Sequence, residues 1–245
     1  MKQRALALLL LLACLFACPA AAQATDEAVY DSFFDQQVFV GDSITRHLKI
    51  YLKEQAAKGI SVPEPVFLTA QSYMLYTASR RNLLERHTNI LWRGREVPLR
   101  EAVAEIKPGR VFILLGVNDY AGEDIPKHIG YCERIVDLLA TPDTRLYFFS
   151  LTPVTRRFSG SGDRRTQWDE YNLALEEMCR RKGAFYIDIA TPLKDGEGYL
   201  KEEYCSDGLY HLSPAGLRVW LDTLRDYARQ QYEQGLWSPE KEALQ

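Results

Sequence analysis

A short apolar run leads directly into a helical pattern in the sequence Val38-Phe39-Val40-Gly41-Asp42-Ser43-Ile44-Thr45. The residues before the glycine are β-branched or aromatic and form a continuous run, as expected for a strand that is covered on both faces. After the serine, apolar side chains recur at helical spacing through Leu48, Tyr51 and Leu52. The stretch predicts a strand that turns at once into an amphipathic helix.

Four further apolar runs follow along the chain, with helical patterns between and after them. Right-handed βαβ crossovers place helices on both faces of a parallel sheet. The alternation therefore predicts an α/β domain with a central parallel sheet, and no internal repeat or linker divides it. The five predicted strands are Val38–Val40, Pro65–Leu68, Val111–Leu115, Leu146–Leu151 and Ala184–Ile189.

Two stretches interrupt the pattern, Gln71–Pro98 with a possible hairpin at Asn89–Val97, and Thr152–Gln167. Both follow strands, and ligands of open α/β sheets bind outside the carboxyl ends of the strands. We therefore expect both stretches to form walls of a substrate cleft. The second one carries four arginines, which we interpret as a solvated loop in preference to an anion-binding patch. These are Arg156, Arg157, Arg164 and Arg165.

The composition fits one folded domain, since 47% of the 245 residues are apolar and 26% are charged. The 30 Lys and Arg residues nearly balance the 33 Asp and Glu residues, which gives a formal charge of −3. This composition excludes a disordered chain, a collagen-like repeat and a strongly basic, nucleic-acid-binding surface.

Residues 1–24 have the pattern of a secretory signal peptide. The 13-residue apolar run Ala5–Ala17 follows two basic residues, and Ala22-Gln23-Ala24 offers small residues at a cleavable bond. The run is shorter than the roughly 20 residues of a membrane span. We expect a secreted or cell-envelope protein, with a lipoprotein as the alternative because Leu15-Phe16-Ala17-Cys18 resembles a lipobox. For the residues after the predicted signal, we expect an N-terminal extension (25–37), a folded domain (38–232) and a C-terminal tail (233–245).

Three cysteines follow the predicted signal, Cys132, Cys179 and Cys205. An odd number excludes a fully paired disulfide framework. The sequence contains no Cys-x-x-Cys or His-rich spacing, so it gives no support for a metal site. Cys132 shares a helical stripe with apolar residues, and we expect it to be a buried, small apolar side chain.

The serine of the opening stretch, Ser43, lies where the first strand turns into the first helix. A hydroxyl at that point faces free backbone N–H groups and the positive end of the helix dipole. This setting suits a nucleophile whose carbonyl substrate becomes an oxyanion. The alternative is a helix cap, which is the commonest role of a serine at a helix start.

A second candidate segment, Val111–Asp119, ends the third predicted strand with Gly116-Val117-Asn118-Asp119. Asn118 can donate two N–H bonds into a crevice, and Gly116 permits a close approach. The alternative is a plain strand-to-helix turn, and we assign Asp119 to that role, as a turn or capping residue.

The third segment, Asp207–Gly216, precedes the last predicted helix. His211 lies in its loop, and a carboxylate four residues upstream, Asp207, could orient the imidazole while the ring accepts a proton from a serine. His47 falls on the apolar stripe of the first helix and is interpreted, like His87 and His128, as a structural residue.

Together the three segments resemble the first, third and fifth conserved blocks of the SGNH, or GDSL-type, hydrolases, and the likeness spans Val38–Tyr227. The resemblance implies a flavodoxin-like three-layer sandwich and an esterase that needs no metal or other cofactor. It implies that Ser43 attacks the ester, that His211 is the general base and then acid, and that Asp207 orients His211. The oxyanion hole would combine the Ser43 N–H, the Asn118 side chain and an N–H of the second block, with Asp42 and Gly116 in support.

Two departures from the family pattern concern the site. The second block normally contains a glycine, whereas Thr69-Ala70-Gln71-Ser72 contains none, and we assign Gln71 to its position. The fifth block is usually Asp-x-x-His, whereas three residues separate Asp207 from His211. We expect the extra residue to be accommodated at Gly208, so that the carboxylate still reaches Nδ1 of the imidazole.

The expected function is hydrolysis of acyl esters, with acetyl as the expected group, on an extracellular or cell-envelope substrate such as a glycan. The same covalent acyl-enzyme could instead transfer its acyl group to a sugar hydroxyl. A glycan-binding protein without activity is the alternative from another class. We expect no nucleic-acid partner and no transmembrane span in the mature chain, and the sequence leaves the oligomeric state open.

Overall fold

The computed structural model describes residues 27–160 and 163–242. The strands are β1 (Val38–Gly41), β2 (Val66–Thr69), β3 (Ile90–Trp92), β4 (Arg95–Val97), β5 (Arg110–Leu114), β6 (Arg145–Phe149) and β7 (Phe185–Ile187). The α-helices are α1 (Ser43–Ala57), α2 (Leu75–Ala78), α3 (Leu99–Ile106), α4 (Ile125–Leu139), α5 (Arg156–Ser159), α6 (Arg164–Lys182), α7 (Pro214–Glu233) and α8 (Pro239–Glu242). Short 3₁₀ turns lie at Ala121–Glu123, Thr191–Leu193 and Glu202–Tyr204. The predicted signal peptide lies outside the described residues.

Five of these strands form the central sheet, in the order β2-β1-β5-β6-β7. Every neighbouring pair is parallel. Helix α1 packs against α7, whereas α4 packs against α3 and α6, so helices flank the sheet in two groups. The predicted α/β fold with a parallel five-stranded sheet is confirmed. Strands β3 and β4 form the predicted hairpin as a separate antiparallel pair.

Two strands end earlier than their apolar runs. Leu151 lies beyond the end of β6, where its N–H donates to Asn172 Oδ1 at 2.8 Å and its carbonyl accepts from Asn172 Nδ2 at 3.2 Å. Ile189 likewise lies beyond β7, and its N–H donates to the hydroxyl of Ser150 at 2.9 Å. At these ends the backbone groups form hydrogen bonds with polar side chains instead of with a neighbouring strand. An apolar sequence pattern does not reveal that change of partner.

The core includes residues from both sides of the segment 38–232. Phe33 and Phe34 are buried before β1, and Trp237 is buried after α7, with its ring centroid 5.0 Å from that of Phe33. Arg225 of α7 donates two bonds of 2.8 Å to the buried carboxylate of Asp31. The described parts of the predicted extension and tail are therefore packed onto the domain.

Candidate active site

The three predicted segments meet at the carboxyl end of the central sheet. In the register of the sheet, Gly41 at the end of β1 lies beside Thr69 of β2 and Leu114 of β5. The loops that follow these three strands consequently begin at the same level. Across this edge, the Oγ atom of Ser43 lies 2.9 Å from Nε2 of His211.

Asp207 contacts His211 in spite of the additional residue between them, with Oδ2 lying 2.6 Å from Nδ1. The other oxygen, Oδ1, accepts the backbone N–H of Leu209 at 2.8 Å and that of Tyr210 at 3.1 Å. Gly208 adopts a left-handed conformation with φ +73°, which few other residues adopt without strain. The longer turn therefore closes around the Asp207 carboxylate.

The hydrogen bonds of Asp207 determine its charge. Burial raises its pKa, but the bonds from the His211 side chain and the Leu209 N–H outweigh that effect and hold the pKa at about 2. The carboxylate is therefore ionised at neutral pH. An ionised partner favours the N–H form at Nδ1 of His211, which leaves Nε2 free to accept a proton from the Ser43 hydroxyl.

Asp42, rather than Ser43, caps helix α1, because Asp42 Oδ1 accepts the N–H of Ile44 at 2.9 Å. The Ser43 hydroxyl is thereby left to face His211. The turn also requires a glycine before the cap, since a Cβ atom on Gly41 would lie 1.9 Å from Thr45 Oγ1 and 2.9 Å from the Leu114 carbonyl oxygen. Gly41 and Asp42 together set the position of Ser43.

Asn118 is held by the same carboxyl group. Its Nδ2 donates to Asp42 Oδ2 at 2.9 Å and to the backbone carbonyl of Tyr73 at 3.3 Å. Asp42 is almost completely buried, and burial raises its pKa to about 7, against the smaller opposing effect of the bond from Ile44. The first and third segments are thus joined beneath Ser43 by a carboxyl group that titrates near neutral pH.

The turn after β2 supplies the third wall of the site. Gln71 is exposed there, and the Tyr73 carbonyl that accepts from Asn118 lies two residues further on. The residue with a left-handed backbone in this turn is Ser72, with φ +56°. A glycine would be the usual residue in that conformation, and no feature of the sequence predicts a serine there.

Gly116 and Asp119 position the loop that carries Asn118. Gly116 has φ +128°, and a Cβ atom there would lie 3.2 Å from the Ala121 side chain. Asp119 accepts the backbone N–H groups of Leu75 at 2.7 Å and Tyr76 at 3.1 Å, at the start of α2. Asp119 therefore caps α2 from a neighbouring loop, in line with its predicted capping role.

Two aromatic rings lie beside His211, that of His47, which was interpreted as a structural residue, and that of Tyr210, for which no role was predicted. The His47 ring centroid lies 5.1 Å from that of His211, and the Tyr210 centroid lies 4.6 Å from it. Burial lowers the pKa of His47, and the neighbouring His211 and Arg46 lower it further. His47 follows Ser43 by four residues, about one helical turn, so its spacing could have placed it at the site. No comparable signal marks Tyr210.

The described cysteines are free. Cys132 is fully buried, as predicted, with its Sγ 3.3 Å from the Tyr171 hydroxyl. Cys205 donates to Asp207 Oδ1 at 3.4 Å and so contacts the carboxylate that faces His211.

Residues 27–160 and 163–242 contain no group of three or more His, Cys, Asp or Glu side chains that could hold a metal ion. Over the same residues, no helix has the length and apolar character needed to span a membrane.

Known structures share this fold. The chain matches a Streptococcus pneumonia protein described as a candidate platelet activating factor, with 23% identity, a TM-score of 0.58 and coverage of 91% of this chain and 99% of that one. A GDSL-like lipase from Bacteroides thetaiotaomicron matches at 16% identity and a TM-score of 0.60, over 83% and 98% of the two chains. A catalytic mutant of an acetylxylan esterase from Geobacillus stearothermophilus matches at 14% identity and a TM-score of 0.56, over 79% of this chain and 94% of that one.

These likenesses establish the fold alone. No curated protein matches the chain in sequence. The sequence pattern of one protein family does match it, over residues 39–219, a range that includes Ser43, Asn118, Asp207 and His211. The match therefore covers the parallel sheet and all three loops at its carboxyl edge. The chain belongs to the GDSL-like lipase/acylhydrolase family.

Proposed function

We propose that this protein is a serine esterase that uses Ser43, His211 and Asp207. The observation that carries the proposal is the unbroken chain of hydrogen bonds, with 2.9 Å from Ser43 Oγ to His211 Nε2 and 2.6 Å from His211 Nδ1 to Asp207 Oδ2. Such a chain can activate a hydroxyl without a metal ion. Membership of an acylhydrolase family points to an ester as the substrate.

In the proposed reaction, Ser43 Oγ attacks the acyl carbon while His211 Nε2 takes the hydroxyl proton. The carbonyl oxygen of the substrate becomes an oxyanion, and Asp207 stabilises the imidazolium that forms. When the tetrahedral intermediate collapses, the bond to the leaving alcohol breaks and His211 donates the proton to that alcohol. Water then repeats the sequence on the acyl-enzyme and releases the acid, which restores Ser43.

The oxyanion would be held by the Ser43 N–H at the start of α1, the Asn118 amide and the N–H of Gln71. Of the two bonds that Asn118 Nδ2 donates, the one to the Tyr73 carbonyl is longer, at 3.3 Å. A charged oxygen is a stronger acceptor than that carbonyl. We infer that the substrate oxygen replaces Tyr73 as partner while the 2.9 Å bond to Asp42 keeps the amide in place.

The proposed substrate is an acyl ester, with acetyl as the expected group, on an extracellular or cell-envelope glycan. The fold likeness to an acetylxylan esterase supports this substrate class, and the signal-like pattern of residues 1–24 supports export. Mass spectrometry of the exported protein tests the second part. A first residue of Thr25 is expected, a lipid-modified Cys18 would indicate the lipoprotein, and an uncleaved chain would contradict export.

Substitution Ser43→Ala tests the proposal because it removes the nucleophile from the beginning of α1. We expect the hydrolysis of p-nitrophenyl acetate to fall by about 10⁴-fold or more, together with loss of covalent labelling by an organophosphonate. Ser32→Ala is the matched control, since the Ser32 hydroxyl donates to the nearby Val29 carbonyl at the surface. Labelled and active Ser43→Ala protein would overturn the assignment.

A further inference from the structure

The four arginines lie in α5 and in the first turn of α6, and they divide into two kinds. Arg156 pairs with Asp195 and Glu197, and Arg165 lies 3.8 Å from Asp169. By contrast, no carboxylate in the described part of the chain forms an ion pair with Arg157 or Arg164. Arg157 is exposed, as expected for a solvated loop, whereas Arg164 is only partly exposed and departs from that expectation.

Arg164 is half-buried and held in place by aromatic rings. Its guanidinium carbon lies 4.6 Å from the ring centroid of Phe158 and 5.3 Å from that of Tyr120. These contacts hold the cation in place. No hydrogen bond joins its N–H donors to another described residue, so they stay available for an acceptor. Arg164 is therefore a fixed cation that no carboxylate of the described residues neutralises, and it could bind a planar anion from outside the chain.

The aromatic contacts continue from Arg164 to the proposed catalytic histidine. The Phe158 ring centroid lies 4.9 Å from that of Tyr210, which lies 4.6 Å from that of His211. Tyr120 is 45% exposed and comes two residues after Asn118. We call Tyr120, Phe158, Arg164 and Tyr210 the aromatic–arginine wall.

The backbone of the wall is also unusual, because Tyr120 adopts a left-handed conformation with φ +50°. That conformation costs roughly 1–2 kcal/mol for a residue other than glycine. The Tyr120 ring is nevertheless exposed. Exposed aromatic faces of this kind suit the flat apolar face of a sugar ring or an aromatic ring.

We propose that the aromatic–arginine wall is a subsite for a carboxylate-bearing ester, such as the acyl ester of an acidic sugar. Arg164 would bind the carboxylate with its in-plane donors, and the rings of Tyr120 and Tyr210 would pack on the sugar or other planar group. The ester would then lie beside His211 and Ser43. This inference rests on the proposed esterase activity and adds the charge of its substrate.

The test compares two esters that differ in charge and little in shape, 4-acetoxybenzoate and 4-acetoxybenzamide. We expect the wild-type protein at low ionic strength to favour the benzoate about tenfold in kcat/KM, mainly through KM. Arg164→Gln should lose that preference, because its KM for the benzoate should rise more than its KM for the benzamide. Because Arg164 is partly exposed, 0.5 M NaCl should reduce the wild-type preference.

Arg156→Gln is the matched control, since it removes a charge from the same loop that Asp195 and Glu197 already neutralise. It should retain the preference for the benzoate. Tyr120→Ala should raise KM for both esters, and Tyr120→Phe should restore it because the ring remains. Acetate release from acetylated oligouronides should likewise exceed release from neutral acetylated xylo-oligosaccharides.

Each contrary result has a separate meaning. If the wild-type protein hydrolyses both acetoxybenzene esters equally well, or if Arg164→Gln keeps the preference, the subsite proposal is wrong and the esterase proposal stands. If neither ester is hydrolysed and an organophosphonate does not label Ser43, the esterase proposal fails and the subsite proposal fails with it.

Discussion

The carboxylate of Asp207 reaches His211 through a turn with one residue more than the family pattern. Sequence spacing could indicate the extra residue and a flexible point at Gly208. It could not indicate that Oδ1 would gather the N–H groups of Leu209 and Tyr210 and so orient Oδ2 toward the imidazole. The contact depends on backbone directions inside the turn, which residue types alone do not specify.

Asp207→Asn is expected to lower kcat for ester hydrolysis by roughly 10³-fold or more. The Asn carbonyl can still accept from the turn, but its NH₂ group would face Nδ1 of His211 and force the ring proton onto Nε2. His211 could then no longer accept the Ser43 proton. Measurement of kcat with p-nitrophenyl acetate, beside the exposed control Asp143→Asn, checks this. A loss of less than tenfold would show that Asp207 does not orient the ring.

The buried Asp42 should make stability depend on pH. Its pKa in the folded protein, about 7, lies above its ordinary value of 3.8, so folding favours the protonated form. The stability from Asp42 is therefore complete below about pH 4 and is lost as the pH rises through 7. Denaturant unfolding from pH 4 to 8 should show this decline in the wild-type protein and a smaller one in Asp42→Asn. Identical slopes in the two proteins would contradict it.

At the scale of elements, the apolar runs predicted every strand of the central sheet, because parallel strands buried on both faces have a continuous apolar pattern. The ends of β6 and β7 were placed too late. Beyond β6, the backbone of Leu151 bonds to Asn172, which lies 21 residues further along the chain. Beyond β7, the backbone of Ile189 bonds to Ser150, which lies within the apolar run of β6. Strand ends are therefore decided by tertiary contacts that the local pattern does not contain.

Asn172→Ala should destabilise the protein because it leaves both backbone groups of Leu151 buried without their partners. Each of the two unpaired buried groups costs about 1–3 kcal/mol, so a loss of roughly 2–6 kcal/mol in the free energy of unfolding is expected. Asn89→Ala is the control, because Asn89 also bonds to backbone carbonyls but at the surface. Equal losses in chemical denaturation would show that Asn172 does not support the strand end.

On the scale of the whole molecule, the folded unit is larger than the segment 38–232 in which the strand and helix patterns occur. Phe33, Phe34 and Trp237 lie in irregular stretches with no periodic pattern, yet their rings are buried against the sheet and one another. Burial of an isolated aromatic residue depends on where the segments that flank residues 38–232 pack against the domain. Local sequence does not encode that packing, so the sequence predicted only a peripheral extension and tail for these two stretches.

Trp237→Ala should lower the free energy of unfolding by about 3–5 kcal/mol, the usual cost of truncating a large buried aromatic side chain. The neighbouring Leu236→Ala is the control, because Leu236 is 60% exposed and should cost about 0.5 kcal/mol or less. Thermal and denaturant unfolding of the two variants would measure the difference. If Trp237→Ala behaves like the control, the stretch after α7 does not belong to the stable core.

The buried pair of Asp31 and Arg225 joins residues that are 194 positions apart. A ribosome that adds about 5–20 residues per second needs roughly 10–40 s to make the chain between them. During that time the carboxylate has no partner, and the segment before β1 has no helix α7 to pack against. Completion of the native fold must therefore wait until Arg225 has been synthesised.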